Sequence, residues 1–228
     1  MDPLALAVAL AYASLLLELV AFAVPSEASV VRLMLEGDAG ASAALARARR
    51  RPLPRKLAFF FLPTALCIAM FCVPLLLLAF PAAIVALGPL PLAHPAVQGA
   101  GIALIGLGRA VSLAAVLQLR RARGGGREVA ALQRSGLFRW SRNPGLVGMF
   151  AFALGNALVF PCVALLAGLV VYLANMHRRV QLEESQLQHV LGPTYAAYRA
   201  AVPRYLGLRE QVLPLREQVL PLREQAPS

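Results

Sequence analysis

The chain has 228 residues, of which 59% are hydrophobic and 14% are charged, with a formal net charge of +11 and a mean hydropathy of +0.68. This composition excludes an ordinary soluble domain. It predicts an all-α, polytopic transmembrane protein, because helices satisfy their own backbone hydrogen bonds inside a bilayer. The three cysteines, Cys67, Cys72 and Cys162, lie in apolar runs without metal-ligand spacing, so we predict no metal site.

Arginine and lysine gather in three blocks, at 32–56, 120–142 and 178–223, and only Arg109 lies outside them. Cytoplasmic loops of membrane proteins collect these two residue types. The positive charge therefore indicates membrane topology, with all three blocks predicted to face the cytosol. Nucleic acid is not an expected partner, because the basic residues are not interleaved with aromatic ones.

Three apolar runs in the first half predict membrane spans, since about 20 apolar residues cross a bilayer core. They are residues 4–24, 57–80 and 96–119. A charge at bilayer depth is costly, so Glu18 in the first run and Arg109 in the third are predicted to pair.

The polar connection at 27–56 predicts two short helices, at 29–35 and at 41–51. The arginines of the second helix would lie near anionic head groups, although their simplest role is to set the topology. Residues 81–95 contain no Asp, Glu, Lys or Arg and predict a short exoplasmic loop.

A second half of the membrane domain follows a glycine hinge at 124–126 and a short predicted helix at 127–133. Residues 145–175 are almost uncharged, and Asn156 and Pro161 near their middle predict a helical hairpin. About five helical passes then place all basic blocks on one side, with the C-terminus in the cytosol.

Residues 176–190 are predicted to leave the membrane as a cytosolic amphipathic helix that ends at Gly192-Pro193. We expect one domain over residues 1–206. The tail at 207–228 repeats Leu-Arg-Glu-Gln-Val-Leu-Pro, and its prolines exclude a continuous helix. The tail is therefore predicted to be solvated and poorly ordered.

Two polar segments flank the predicted hairpin and form the candidate site. The first, 135–150, is basic and aromatic, and its Arg142 serves either as a topology anchor or as a ligand contact. In the second, Glu183 and Glu184 would hold a ligand amine or ribose hydroxyls, or else face solvent or the helix dipole. Arg179 would clamp a carboxylate or phosphate, or else pair with Glu183 four residues on.

The order of these motifs resembles the C-terminal half of the isoprenylcysteine carboxyl methyltransferase and phospholipid methyltransferase superfamily. The resemblance rests on Ser-Gly-Leu-Phe-Arg-Trp-Ser-Arg-Asn-Pro at 135–144, the hairpin, Glu183-Glu184, and Gly-Pro-Thr-Tyr-Ala-Ala-Tyr-Arg-Ala-Ala-Val-Pro at 192–203. It covers about residues 99–206. It implies an integral-membrane enzyme that uses S-adenosylmethionine (SAM).

The matched positions, together with Arg142 and Glu184, give the predicted cofactor-binding residues. These are Gly106, Gly108, Phe138, Arg142, Asn143, Pro144, Gly145, Leu146, Glu183 and Glu184. Arg179 matches the arginine that contacts the substrate carboxyl in the prenylcysteine enzymes, and it is the predicted catalytic residue. The chain departs from the family pattern at Phe138, where tyrosine is usual, and at Asn143, where histidine is usual.

The resemblance implies methyl transfer to a lipid-like or amphipathic acceptor in a bacterial inner membrane or the endoplasmic reticulum, with membrane lipids as partners. A carboxylate or thiolate acceptor is favoured because it needs no general base, while an amine stays open. Two alternatives also stay open. One is an NADPH-dependent enzyme related to sterol reductases, with Arg139 and Arg142 on the phosphate. The other is a non-catalytic membrane scaffold.

Overall fold

A computed structural model of the chain describes residues 3–18, 20–21, 41–92, 94–123 and 132–206. Within these ranges the chain forms helices and no strands. The helices are α1 (Pro3–Glu18), α2 (Ala43–Arg49), α3 (Leu53–Ala79), α4 (Pro95–Arg123), α5 (Pro144–Val159) and α6 (Val163–Ala201), with short 3-10 helices at Pro81–Val85 and Gly136–Arg139. The helix predicted at 29–35, the hinge at 124–126 and the tail lie outside the described residues.

Three of these helices, α3, α4 and α6, are long and apolar enough to cross a membrane, and α1 and α5 are shorter apolar helices. Their outer surfaces carry exposed aliphatic side chains such as Leu66, Ile68 and Val170. Such side chains are stable next to lipid rather than water. The predicted all-α, polytopic membrane protein is therefore confirmed.

The predicted hairpin is present, since α5 ends at Val159 and α6 begins at Val163. Its turn is held by the loop after α3, where the Leu90 amide donates to the Pro161 carbonyl at 2.9 Å. The helix predicted at 176–190 is present as the continuation of α6, which runs without a break to a kink at Gly192, where the predicted helix also ends. Between Cys162 and Leu191 the chain contains no proline and one glycine, Gly168, and the helix continues through that glycine.

Helices α4 and α5 pack so closely that their glycines touch the opposite backbone. A Cβ placed on Gly101 would lie 2.8 Å from the Gly155 carbonyl oxygen, and one on Gly108 would overlap the Phe152 amide nitrogen. Gly148 faces the Gly108 carbonyl oxygen in the same way, at 2.6 Å. The glycines thus let two apolar helices approach backbone to backbone, as small residues commonly do in membranes.

Helix α3 begins four residues before its predicted start at Leu57, and a π-helical segment, Leu57–Phe61, precedes Pro63. Proline cannot donate to the helical ladder and its ring crowds the preceding turn. A wider π turn at that point accommodates the ring. The π turn contains three consecutive phenylalanines, Phe59 to Phe61.

Glu18 and Arg109 form the predicted ion pair between α1 and α4, with Oε2 and Nη2 separated by 2.6 Å. Arg109 also donates to Ser14 Oγ at 3.1 Å and to Ser112 Oγ at 3.2 Å, and its guanidinium lies 5.9 Å from the centre of the Phe152 ring. The pair is buried, so hydrogen bonds and a partner charge offset its desolvation.

The predicted basic helix at 41–51 is present as α2 and lies against α6. The Ser42 amide donates to Gln186 Oε1 at 2.8 Å, and the Ser42 hydroxyl lies 2.9 Å from that of Ser185. Because successive spans alternate in direction, the basic ends of α3, α4 and α5 share this end of the bundle with α2. We call it the basic end. Its cytosolic orientation stays a prediction.

Candidate functional site

The loop before α5 is fixed to the end of α4. Gly136 has φ +62°, a left-handed conformation that favours glycine, and a Cβ there would lie 2.6 Å from Gln118 Oε1. The same oxygen accepts a hydrogen bond from the Leu137 amide at 3.1 Å. These contacts direct the Phe138 side chain inward, where it is buried.

The chain after the Gly192 kink packs on the other side of this loop. Gly192 has φ 51° and ψ −127°, which turns the helix so that Tyr198 Oη donates to the Phe138 carbonyl at 2.9 Å. Farther along, the Arg142 amide donates to the Pro203 carbonyl at 2.9 Å, and Asn143 Nδ2 donates to the Arg204 carbonyl at 3.0 Å. The loop is thus held between α4 and the C-terminal segment.

An ionic cluster forms where these segments meet α6. Glu184 Oε1 lies 3.1 Å from Arg142 Nη1, and Glu184 Oε2 accepts from Arg204 Nη2 at 2.8 Å and Nε at 3.1 Å. The side chains of Arg142 and Glu184 are buried, while that of Arg204 is partly exposed. The hydrogen bond to Glu184 raises the pKa of Arg204 above its ordinary value.

Not all of the hydrogen-bonding capacity in this cluster is used. Arg142 Nε, Arg142 Nη1 and Glu184 Oε1 are buried and make no hydrogen bond among the described residues. Nη1 and Oε1 are separated by 3.1 Å, which is an ion-pair distance. The charges are therefore compensated while directional donors and an acceptor stay open. Such groups are costly in a protein interior unless water, an ion or a ligand satisfies them.

The remaining predicted residues of the loop position α5. Asn143 precedes its first turn, but the Asn143 side chain bonds the C-terminal segment instead of capping the helix. Pro144 is the buried first residue of α5, and a Cβ on Gly145 would lie 3.7 Å from Ala115 Cβ on α4. The Leu146 amide bonds the Asn143 carbonyl at 3.1 Å.

The two predicted glycines of α4 differ in their surroundings. Gly108 touches the backbone of α5, while a Cβ on Gly106 would meet nothing within 4 Å. The two residues therefore lie on opposite sides of α4, as residues two apart in a helix do. Gly108 has a packing role, and Gly106 borders open space. The cofactor contact predicted for both stays a prediction.

The structure separates the two glutamates and does not bring Arg179 to the cluster. Glu184 is buried and Glu183 is exposed. Arg179 lines a cavity of about 990 Å³ between α2, α3 and α6, away from Glu184. Sequence reasoning missed Arg204, which follows the recognised Val202-Pro203 motif. Its position at the end of that motif is the signal that could have drawn attention to it.

A bundle of apolar helices that buries an ionic cluster under a loop at one end fits a polytopic helical membrane protein. Residues 97–194 match the model of a family described as phospholipid methyltransferase. This match covers α4, the loop, α5 and most of α6, and it confirms the resemblance. These residues are thus similar to the superfamily of membrane methyltransferases formed by the isoprenylcysteine carboxyl and phospholipid enzymes. No curated protein and no solved structure matches the chain.

Proposed function

We propose that the chain is a SAM-dependent methyltransferase that acts at the membrane surface on a lipid-like or amphipathic acceptor. One observation carries this proposal. Inside the family domain, Arg142 and Glu184 are buried with unused donors and an acceptor, beside the loop in which this family binds its cofactor.

The chemistry of the cluster fits SAM. Its amino-acid end carries a carboxylate and an ammonium, and its ribose carries two hydroxyls. An arginine Nε donates to a carboxylate, and a glutamate oxygen accepts from an ammonium or a hydroxyl. When bound, SAM supplies a methyl group on a positively charged sulfur. The residues proposed to hold it are Arg142, Glu184 and the loop around Phe138 and Asn143.

The chain's own residues mainly bind, orient and exclude water. Glu184 is engaged by two guanidinium groups, so it suits a cofactor contact better than a general base. His177 is hydrogen-bonded to Gln181 at 2.9 Å and to Tyr205 at 3.2 Å on an exposed part of α6. An acceptor that arrives as a carboxylate or thiolate requires no base. We therefore favour such an acceptor over an amine.

Because the proposed site lies at the membrane surface, we expect an amphipathic acceptor. The cluster lies at the basic end, beyond the apolar parts of α4 and α5, where a water-soluble cofactor and a lipid can meet. Arginine and lysine collect on the cytosolic side of membrane proteins. We propose that this end and the C-terminus face the cytosol, where SAM is made.

The test is calorimetric titration of the detergent-purified full chain with SAM and, separately, with NADPH. We expect SAM to bind the wild-type chain and NADPH not to bind. Glu184→Gln should weaken SAM binding by about 10- to 100-fold, since a charge-assisted hydrogen bond contributes about 1.5–3 kcal/mol. Glu183→Gln changes the neighbouring, exposed carboxylate. It should weaken binding less than threefold if Glu184 is the cofactor contact.

The alternatives give different results. NADPH binding without SAM binding would identify a reductase, and binding of neither would identify a scaffold. A larger effect of Glu183→Gln than of Glu184→Gln would move the cofactor to the exposed side of α6. Arg199→Gln, at an exposed residue of α6, is the control that should leave SAM affinity unchanged.

A further inference from the structure

A strongly basic cavity of about 990 Å³ lies between α2, α3 and α6. Its lining includes six cations and no carboxylate: Arg47, Arg51, Arg55, Lys56, Arg178 and Arg179. Most of this lining comes from α2 and α3, which precede the family domain at 97–194. Like charges brought together this closely repel one another, so the cavity favours an anion.

Aromatic and polar side chains complete the wall. The phenylalanines of the π turn, Phe59 to Phe61, line the cavity, and the Arg178 guanidinium lies 5.8 Å from the centre of the Phe59 ring. Asn175 is a buried lining residue whose Nδ2 donates to Thr64 Oγ1 at 3.3 Å. The cavity therefore has a charged rim and a partly apolar interior.

Contacts with α6 hold the α2 wall in place. Ser42 bonds both Ser185 and Gln186, and its hydroxyl accepts from the Leu45 amide at 3.4 Å. The Leu45 side chain is buried, which fixes the rotation of the short helix. Arg47 is thereby held on the side of α2 that faces the cavity, and Arg51 lines the cavity just after the helix ends.

A shallow, open apolar groove on the outer side of α3 adjoins the cavity. It is lined by Pro54, Leu57, Ala58, Phe61, Leu62 and Ala65. Phe61 belongs to both the groove and the cavity. An anion site that adjoins an apolar groove on a membrane-spanning helix has the two halves of a lipid site, one for the headgroup and one for an acyl chain.

This cavity is distinct from the ionic cluster. Asn175, Arg178, Arg179 and Leu182 follow the spacing of one helix face. Glu184 lies two and a half turns after Asn175, at about 3.6 residues per turn, so these two residues lie on opposite sides of α6. Gln181, three residues before Glu184, is the lining residue on the edge of the cavity nearest the cluster. The two sites therefore share a helix and no lining residue.

We infer that the cavity binds an anionic phospholipid, with the phosphate among the arginines and one acyl chain in the groove on α3. Arginine forks match phosphate oxygens, and the phenylalanines cover the start of the chain. The inference does not depend on methyl transfer.

The experiment uses the detergent-purified full chain and measures binding of dioctanoyl phosphatidylglycerol, dioctanoyl phosphatidylcholine and inorganic phosphate by microscale thermophoresis. Phosphatidylglycerol should bind more tightly than phosphatidylcholine. Arg51→Gln combined with Arg178→Gln should weaken phosphatidylglycerol binding by about 30-fold, since each cation near a lipid phosphate contributes about fivefold. Ala58→Trp, which fills the groove, should also weaken it.

The matched control combines Arg121→Gln with Arg199→Gln, which removes two exposed arginines outside the cavity and should leave lipid affinity unchanged. A wild-type thermal unfolding midpoint for each variant confirms that it is folded. Equal affinity for the two lipids, or equal weakening by the control, would overturn the inference. Tight binding of inorganic phosphate with no effect of Ala58→Trp would also overturn it, in favour of a soluble anion.

Discussion

Glu18 and Arg109 show how a single charge is accommodated in an apolar bundle. Each side chain is buried, and the pair is reinforced by Ser14 and Ser112. Removing one partner leaves the other as an uncompensated buried charge, which is more costly than losing both. The two side chains should therefore behave as one energetic unit.

Glu18→Gln and Arg109→Gln should each lower the free energy of unfolding by about 3–5 kcal/mol, while the double variant should lose less than either. Thermal unfolding can be followed by a thiol-reactive dye, because Cys67 and Cys162 are buried and react only on opening. Cys72 is exposed and is replaced by serine throughout. Additive losses in the double variant would show that the pair contributes nothing as a unit.

Arg204 is the residue of the ionic cluster that the sequence did not reveal. Arg204→Gln should weaken SAM binding by about tenfold, because Glu184 loses two hydrogen bonds that hold its carboxylate. Arg142→Gln should weaken it more, since Arg142 is also proposed to contact the cofactor. Calorimetry on both variants tests this order. An Arg204→Gln protein with wild-type affinity would exclude a positioning role for that arginine.

For single residues, the sequence predicted which positions belong to the candidate site better than it predicted what each of them contacts. It identified Arg142, Glu183 and Glu184 as candidates and paired Glu18 with Arg109. It could not say which of two adjacent glutamates is buried. That choice depends on the rotation of α6, which is set by packing against α3 and α5 rather than by the local pattern.

The helices themselves were predictable because long apolar runs and prolines mark them directly. The hairpin between α5 and α6 followed from Asn156 and Pro161, and it is present. The continuous passage of α6 through 176–190 was not predicted, because a change from apolar to charged side chains does not by itself end a helix. The π turn before Pro63 was not predicted either, because it relieves a local steric clash of the proline ring that the sequence pattern does not show.

Contact between α4 and α5 makes two neighbouring glycines respond differently to the same substitution. Gly108→Ala should destabilise the protein by about 1–3 kcal/mol, because its Cβ would overlap the Phe152 amide. Gly106→Ala should be neutral or stabilising by up to about 1 kcal/mol, since its Cβ meets open space and alanine favours helix.

The same dye assay measures both glycine variants. Gly106→Ala is the matched control because it makes an identical chemical change two residues away on the same helix. Equal destabilisation by the two substitutions would mean that α4 and α5 are not packed backbone to backbone.

For the whole molecule, the alternation of helix direction gathers the basic residues of α2, α3, α4 and α6 at one end. This arrangement agrees with the charge blocks in the sequence. The sequence could not predict that α2 folds against α6 to enclose a cavity, because the two segments are far apart in the chain and meet through Ser42 and Gln186.

The orientation of the bundle can be tested by labelling in a variant without native cysteines. Trp140→Cys lies on the exposed loop at the basic end, and Leu92→Cys lies beyond the opposite end of α4. A membrane-impermeant maleimide should label Trp140→Cys only from the cytosolic side and Leu92→Cys only from the other side. Labelling of both from one side would exclude α4 as a membrane span.

The length of α6 has a consequence for the membranes in which the protein can work. From the hairpin turn at Val163 to Glu184, α6 extends about 32 Å at 1.5 Å per residue, close to the hydrocarbon thickness of about 30 Å. Lipids with longer acyl chains would draw the ionic cluster into hydrocarbon, where charges are costly. In proteoliposomes of increasing bilayer thickness, the proposed methyl transfer should therefore fall. Bilayer thickness cannot affect the protein in detergent, so SAM affinity measured there is the reference. Bilayer thickness would then select the compartment in which the enzyme is active.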